Sequence, residues 1–587
     1  MEVGFYVLLF VLLALFAQLC REWWALPRTL LRASFWAFGL LLALVQAWVF
    51  RYYASADAIS YLDMSDGVVP GQDWHRLING VWSPLYPFLL GMFRNIFGIS
   101  PSNEIVAAHI LNVVFFAFAF ICFELLIANL LEKNHAWIAA KTVSNALPVR
   151  ACIALLYSMF LWASLNVITV TNLRPDMLMS GFLYLAAAKL VALCGERGTW
   201  NEYLVLGSVL GIGFLAKAPM LPLGILILVV SIFVVQKHVS GFARAATSLA
   251  VVLAIGSLYF VPLSLSRGRF TLGESGAYNY LVHVDRAGPG QGWYLENPGQ
   301  GIGRFQAPPT QISQTPPVYA FGADALITHP LRFDPAVWMK GVRPRLALKR
   351  QIGEAYLNLA NLGKPLRQML PVLMVALLLM FRIPKREAQQ GLMRTWPLAL
   401  LAIAGCAMYA VVHLEGRYIG AFLVLFVCSI IAGTLEVRNG NIFNRIFFTT
   451  TLALASFSLL LTPVSTTYWE YSRTGKGTDE AAIAAAELHR LGIQSGDRIG
   501  RISSKVSDLA MDRIARVEVA AEVDYLYVEQ FWLAPVEQQQ SVLQLLAEHG
   551  VKAVIATHPV LTGANQRQWK QLASTDFWVW LPQRKSN

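Results

Sequence analysis

The chain has 587 residues, 56% of them hydrophobic and 14% charged, whereas soluble domains carry about 25% charge. Together with a mean hydropathy of +0.51, this excludes a soluble enzyme, a coiled coil and a disordered scaffold. Seventeen Trp, 20 Tyr and 33 Phe suit a membrane protein with aromatic belts, and the net charge of +12 suits Lys and Arg gathered in short cytoplasmic loops. No basic, aromatic-interleaved patch points to nucleic acid.

A helical span needs about 20 apolar residues. Twelve such stretches occur, near 3–20, 34–50, 105–131, 151–170, 177–194, 201–216, 220–236, 246–265, 368–382, 396–412, 418–436 and 446–463. The first lacks a basic n-region and a small-x-small cleavage site, and Leu19 precedes Cys20 where a lipobox wants a small residue, so it reads as a membrane helix. Cys20, Cys122, Cys152, Cys406 and Cys428 fall within or at the ends of apolar stretches, and Cys194 closes another. With no CxxC or Cys/His spacing they read as small core residues.

Alternate loops divide by charge. One set holds Arg21, Arg28, Arg32, Lys133, Lys141, Arg150, Arg197, Lys237, Arg244, Lys385, Arg386, Arg394, Arg438 and Arg445; the other holds fewer cations, among them Arg51, Arg76, Arg94, Arg174, Lys217 and Arg417. The basic set is therefore expected in the cytoplasm, with both chain ends outside. Residues 84–98, opening Pro84-Leu85-Tyr86-Pro87, are apolar but short, and reading them as a span would reverse every later loop. They are expected as a juxtamembrane or re-entrant helix on the outer face. No Asn-x-Ser/Thr sequon occurs in the chain, which points to a bacterial protein.

This scheme predicts a transmembrane domain over 1–463 and an extracytoplasmic α/β domain over 464–587. The first external loop, 51–104, and a long loop, 266–367, interrupt the membrane part. The long loop, with Gly288-Pro289-Gly290, Pro308-Pro309 and Pro316-Pro317, is expected to be an irregular, partly ordered cap. Its Trp293-Tyr294 pair could stack on the face of a ligand ring, although a lone loop pair more often packs locally. In the tail, helical periodicity at 479–492 and 535–549 alternates with strand-like runs at 498–502, 552–556 and 577–580.

Acids and cations at the outer helix ends are where chemistry is expected, because ionisable groups at membrane depth are costly and tend to be functional. Asp57 is followed four residues later by Tyr61. Trp82-Ser83-Pro84-Leu85 precedes an apolar segment; Arg174-Pro175-Asp176 forms a turn; Lys217 ends one helix, and Arg417-Tyr418 opens another after His413 and Glu415. The plain structural alternatives are that Asp57 and Asp176 cap helices, that Lys217 snorkels, and that Glu415 and Arg417 simply pair. Asp63 and Asp66 read as solvated loop acids, and His413 is the one histidine placed near the charged group.

In this order, over the membrane part, these motifs resemble those of the GT-C membrane glycosyltransferases. The likeness is strongest to the glycosyltransferase family 39 branch, with its protein O-mannosyltransferases and aminoarabinose transferases of lipid A. Two departures bear on the acceptor: Ala58 stands where many relatives have a second acid, and Ser83 where Pro is common. The resemblance implies a mainly α, GT-C-type helix bundle of about 12 spans with a small C-terminal α/β domain. It also implies an inverting transferase using a polyprenyl-phosphate sugar in a bacterial inner membrane, with its site facing the periplasm or exterior.

On that reading Asp57 is the base. Lys217, Arg417 and Arg174 hold the donor phosphate, and Tyr61, Asp176, Glu415, Tyr418 and Trp82 contact substrate. The acceptor could be a glycolipid, a polysaccharide or a protein. No cofactor is called for; external carboxylates could hold a divalent cation, but no DxD pair is present. The rival readings are a twelve-helix transporter, which would show related halves with midplane site residues, and an O-antigen ligase or polymerase, which would leave the acid-bearing first loop without a role.

Overall fold

The computed structural model describes residues 28–133, 149–236, 238–287, 297–322, 327–382, 385–434, 442–474, 479–504, 509–561 and 565–582. The predicted span at 3–20 with Cys20, the cations Arg21, Lys141, Lys237 and Arg438, the Gly288-Pro289-Gly290 run and Trp293-Tyr294 lie outside the described residues. All the other predicted spans are helices: Arg28–Val49, Glu104–Lys133, Val149–Trp162, Asp176–Leu193, Trp200–Ala216, Met220–Val234, His238–Arg267, Leu370–Arg382, Lys385–Ala410, Gly416–Thr434 and Ile442–Thr474. Among the described residues, eight helices are long and apolar enough to cross a membrane, and Trp200–Ala216 and Met220–Val234 are shorter apolar helices.

Packing within the bundle relies on small residues, because lipid gives helices no hydrophobic reason to associate. The Lys385–Ala410 and Gly416–Thr434 helices meet at Gly391 and Gly433, where a Cβ on Gly391 would lie 1.8 Å from the Gly433 carbonyl oxygen. Segment 84–98 forms the 12-residue helix Leu85–Ile96, about 18 Å long and too short to cross a core of about 30 Å. Cys122, Cys152 and Cys428 are free and buried, as core residues should be.

The long loop is more ordered than its Gly and Pro content suggests. It supplies the helix Ser275–His283, and its strands Thr310–Gln314 and Pro317–Ala320 join a sheet formed mostly by the tail. The seven strands run in the order Thr310–Gln314, Pro317–Ala320, Glu518–Val523, Arg498–Ile502, Ala553–Thr557, Phe577–Trp580 and Lys570–Gln571. The three central strands are parallel. Pro317–Ala320 pairs antiparallel with Glu518–Val523, Tyr319 opposite Glu522. The hairpin thus covers an edge that would otherwise present unpaired backbone groups, which is why a segment reading as irregular adopts strands.

Candidate active site

The short helix Ala56–Ser65 starts at Ser55, whose hydroxyl accepts from the Ala58 amide. Asp57 sits in its first turn, where the helix dipole favours an anion. One turn later, at i+4 on the same face, Tyr61 is buried edge-on to Tyr86 with centroids 5.2 Å apart, and lies 5.3 Å from the ring of Trp82. Burial first, and then the Asp57 charge, raises the Tyr61 hydroxyl well above its ordinary value, so it stays neutral.

A second wall comes from a distorted helix end. Val149–Trp162 widens into a π-helical turn, Ala163–Ile168, and Thr169 follows at φ 66°, a strained setting for a β-branched residue. The chain then turns through Arg174 and Pro175 into Asp176, the first residue of Asp176–Leu193. Lys217 breaks the helical path between Trp200–Ala216 and Met220–Val234 with an extended backbone, and Arg417 lies in the first turn of Gly416–Thr434.

These groups converge. Lys217 Nζ donates to Asp176 Oδ1 at 2.5 Å and lies 4.2 Å above the Tyr418 ring. Arg417 Nε donates to Glu415 Oε2 at 2.6 Å and Nη2 to the Tyr418 hydroxyl at 2.8 Å; its Nη1 is 3.5 Å from Asp176 and its Nη2 is 3.7 Å from Asp57 Oδ2. Arg174 reaches Asp57 Oδ2 at 3.3 Å and Glu415 at 4.0 Å. Burial, with Arg417 adding to it, pushes the Lys217 ammonium below its ordinary value against the pull of Asp176. At Glu415 burial raises the carboxyl, but hydrogen bonds from His413 and Arg417 outweigh it and hold it well below the usual carboxylate range.

A cavity of about 650 Å³ opens onto this cluster, within the range of small-molecule sites. Asp57, Tyr61, Trp82, Asp176, Lys217, Glu415, Arg417 and Tyr418 line it. Arg174 does not, but it contacts Asp57 and Glu415, which do. The sequence reading missed Tyr409, Arg332, Asn279 and His283, which also line the cavity. His283 comes from the long loop and stacks on His413 with centroids 3.7 Å apart; nothing local distinguished it from other loop residues. Among the described residues, no three His, Cys, Asp or Glu side chains converge as a metal-binding group.

Asp63 and Asp66, read as solvated loop acids, are instead buried. They form, with Glu104, a second cluster around Arg94, Arg513 and Arg516. The reading failed because the counter-charges come from the distant tail. Burial lifts the Asp63 carboxyl to about 6 against the Arg513 charge. At Asp66 burial acts the same way, but Arg513, Arg516 and Arg94 overcome it and hold the carboxyl far below its usual range.

Apolar helices around an acid-bearing first loop, together with a small sheet unit, form a fold that a solved structure shares. The crystal structure of ArnT from Cupriavidus metallidurans bound to undecaprenyl phosphate is similar over 94% of this chain and 98% of that chain, with TM-score 0.50 and 11% identity. Its apo form covers the same shares at TM-score 0.49 and 12% identity. An oligosaccharyltransferase from Archaeoglobus fulgidus aligns over 88% of this chain and 68% of that chain, at TM-score 0.44 and 11% identity. No protein-family model matches the chain, and no curated protein matches it. At these identities the likeness is one of fold.

Proposed function

We propose that the chain is an inverting glycosyltransferase that moves a sugar from a polyprenyl-phosphate donor to an acceptor hydroxyl. The reaction takes place on the extracytoplasmic face of a bacterial inner membrane, with residues 464–587 as an extracytoplasmic α/β unit. The observation that carries this reading is one cavity holding Asp57 together with Lys217 and Arg417. The undecaprenyl phosphate bound by the similarly folded ArnT supports the donor class.

The phosphate of such a donor is a weak base, so its departure needs cations rather than a general acid. Lys217 gives one of three N–H donors to Asp176, and Arg417 is the planar fork suited to phosphate. The acceptor oxygen forms its bond to the anomeric carbon as the bond to the phosphate oxygen breaks, which inverts the centre. Asp57 takes the acceptor proton. Arg174 and Arg417 both approach its Oδ2, so Oδ1 is the oxygen assigned to the proton. Arg174 then acts on the phosphate only indirectly, by fixing Asp57 and Glu415. Tyr61, Trp82 and Tyr418 offer rings and hydroxyls to the sugar, and Glu415 and Asp176 orient the cations.

The test is transfer of labelled sugar from a panel of polyprenyl-phosphate pentoses and hexoses to glycolipid, polysaccharide and protein acceptors, using protein in nanodiscs. Asp57→Asn is expected to lose about 10²- to 10⁴-fold in rate while retaining undecaprenyl phosphate binding. Full activity in that variant would remove Asp57 as base. Solute uptake into vesicles by the wild-type chain, without any sugar transfer, would replace the enzyme by a transporter.

A further inference from the structure

The tail's part in the site can be read from Arg513. This side chain is 1% exposed, and all three of its nitrogens donate to partners outside the tail. Nε meets Glu104 Oε1 at 2.7 Å; Nη1 meets Asp63 at 2.6 Å and Asp66 at 2.7 Å; Nη2 meets Asp66 at 2.9 Å, Glu104 at 2.9 Å and the Leu62 carbonyl at 3.2 Å. Arg516, held at φ 56° just beyond the helix Leu509–Ala515, adds bonds to Asp66 at 2.8 Å and Glu104 at 2.6 Å.

Within the membrane part, Asp66 and Glu104 have Arg94, and Asp66 more distantly Arg76 at 3.8 Å, as counter-charges, while Asp63 accepts from the Thr328 amide and hydroxyl. Three carboxylates buried against so little positive charge would repel one another and seek water, since an uncompensated buried charge is strongly destabilising. The tail arginines remove that conflict.

The location of these acids matters. Leu62 and Asp63 belong to the Ala56–Ser65 helix and Asp66 caps its end; Asp57 stands in the first turn of the same helix, and its residues from Ala58 to Ser65 are all buried. Asp66 follows Asp57 by nine positions, about 14 Å of helix rise. A short buried helix in a close-packed setting shifts as a unit, so the clasp at one end fixes the carboxylate at the other.

We propose that Arg513 is a positioning residue: the C-terminal unit holds the Asp57-bearing helix in register with Lys217 and Arg417 through the Asp63–Asp66–Glu104 clasp. The consequence for sugar transfer rests on the function proposed above; the mechanical claim does not.

The experiment uses the full chain in nanodiscs with Arg513→Lys, which keeps a charge but loses the fork needed to serve three acids. Hydrogen–deuterium exchange of amides 58–65 should accelerate about tenfold, with exchange in Trp200–Ala216 and in the tail sheet unchanged. Transfer should fall about 100-fold in kcat, the scale of a 1 Å misplacement, at unchanged donor KM. Arg490→Gln, at an exposed tail pair with Glu487, should alter neither readout.

Wild-type exchange over 58–65 in Arg513→Lys would overturn the proposal. So would acceleration spread equally over tail and bundle, which would make the residue merely stabilising. If the wild-type chain transfers no sugar from any polyprenyl-phosphate donor, the functional reading falls, and the exchange pattern alone decides the positioning claim.

Discussion

The two ends of the Ala56–Ser65 helix carry two charge networks of similar composition and opposite character. Around Asp57, the acids and cations border a cavity, and Glu415 keeps 40% of its side chain exposed. Around Asp63 and Asp66 the carboxylates are enclosed, although Arg516 keeps 19% of its side chain exposed; Glu104 is fully buried and shared among Arg94, Arg513 and Arg516. The difference lies in access. A network that faces a cavity can exchange partners with a ligand, whereas a sealed one holds its surroundings in place.

The sharpest way to break this contrast is Glu104→Ala. Removing one partner of a sealed network strands opposite charges, at a cost of about 3–5 kcal/mol. We expect a large drop in the thermal denaturation midpoint of the detergent-solubilised protein. An unchanged midpoint would mean that water reaches the clasp.

Glu415→Gln should show the reverse pattern. Because this carboxylate is partly exposed, its ion pairs contribute only about 0–1 kcal/mol to stability, and the denaturation midpoint should stay close to that of the wild type. The neutral amide nevertheless holds Arg417 Nε and His413 more weakly than the carboxylate does. Transfer is expected to fall about tenfold, roughly 1.4 kcal/mol of transition-state stabilisation. A variant that loses stability but keeps its rate would place Glu415 with the structural network instead.

The sequence conveyed these networks unequally. Spans were legible because each helix carries its own hydropathy, and the Asp57–Tyr61 spacing was legible because one helical turn sets it. The clasp was not, since Arg513 meets Asp63 across 450 positions and Glu104 across 409, and no local spacing records such a pair. The edge-covering hairpin was hidden for the same reason: Val318 pairs with Val523, far beyond any window in which alternation can be read. Arg174 was grouped with the phosphate cations because it shares their side of the predicted topology, but the cavity lining does not include it.

The smallest expected effect concerns His283, which ties the long loop to the cavity. Burial, followed by the neighbouring His413 and the Arg286 charge, lowers this imidazole to about 4 against the pull of Glu415, whereas an unfolded histidine titrates near 6.5. Between those values the unfolded chain binds a proton that the folded chain refuses, so stability rises with pH across the window. The contribution is complete above about pH 6.5 and is lost as the pH falls toward 4. His283→Gln should therefore flatten the acid-side fall of the denaturation midpoint without moving the midpoint's response above pH 7. Equal slopes in the two proteins would show that the imidazole is solvated, and the stacked pair would then belong with the exchangeable lining of the cavity rather than with its frame.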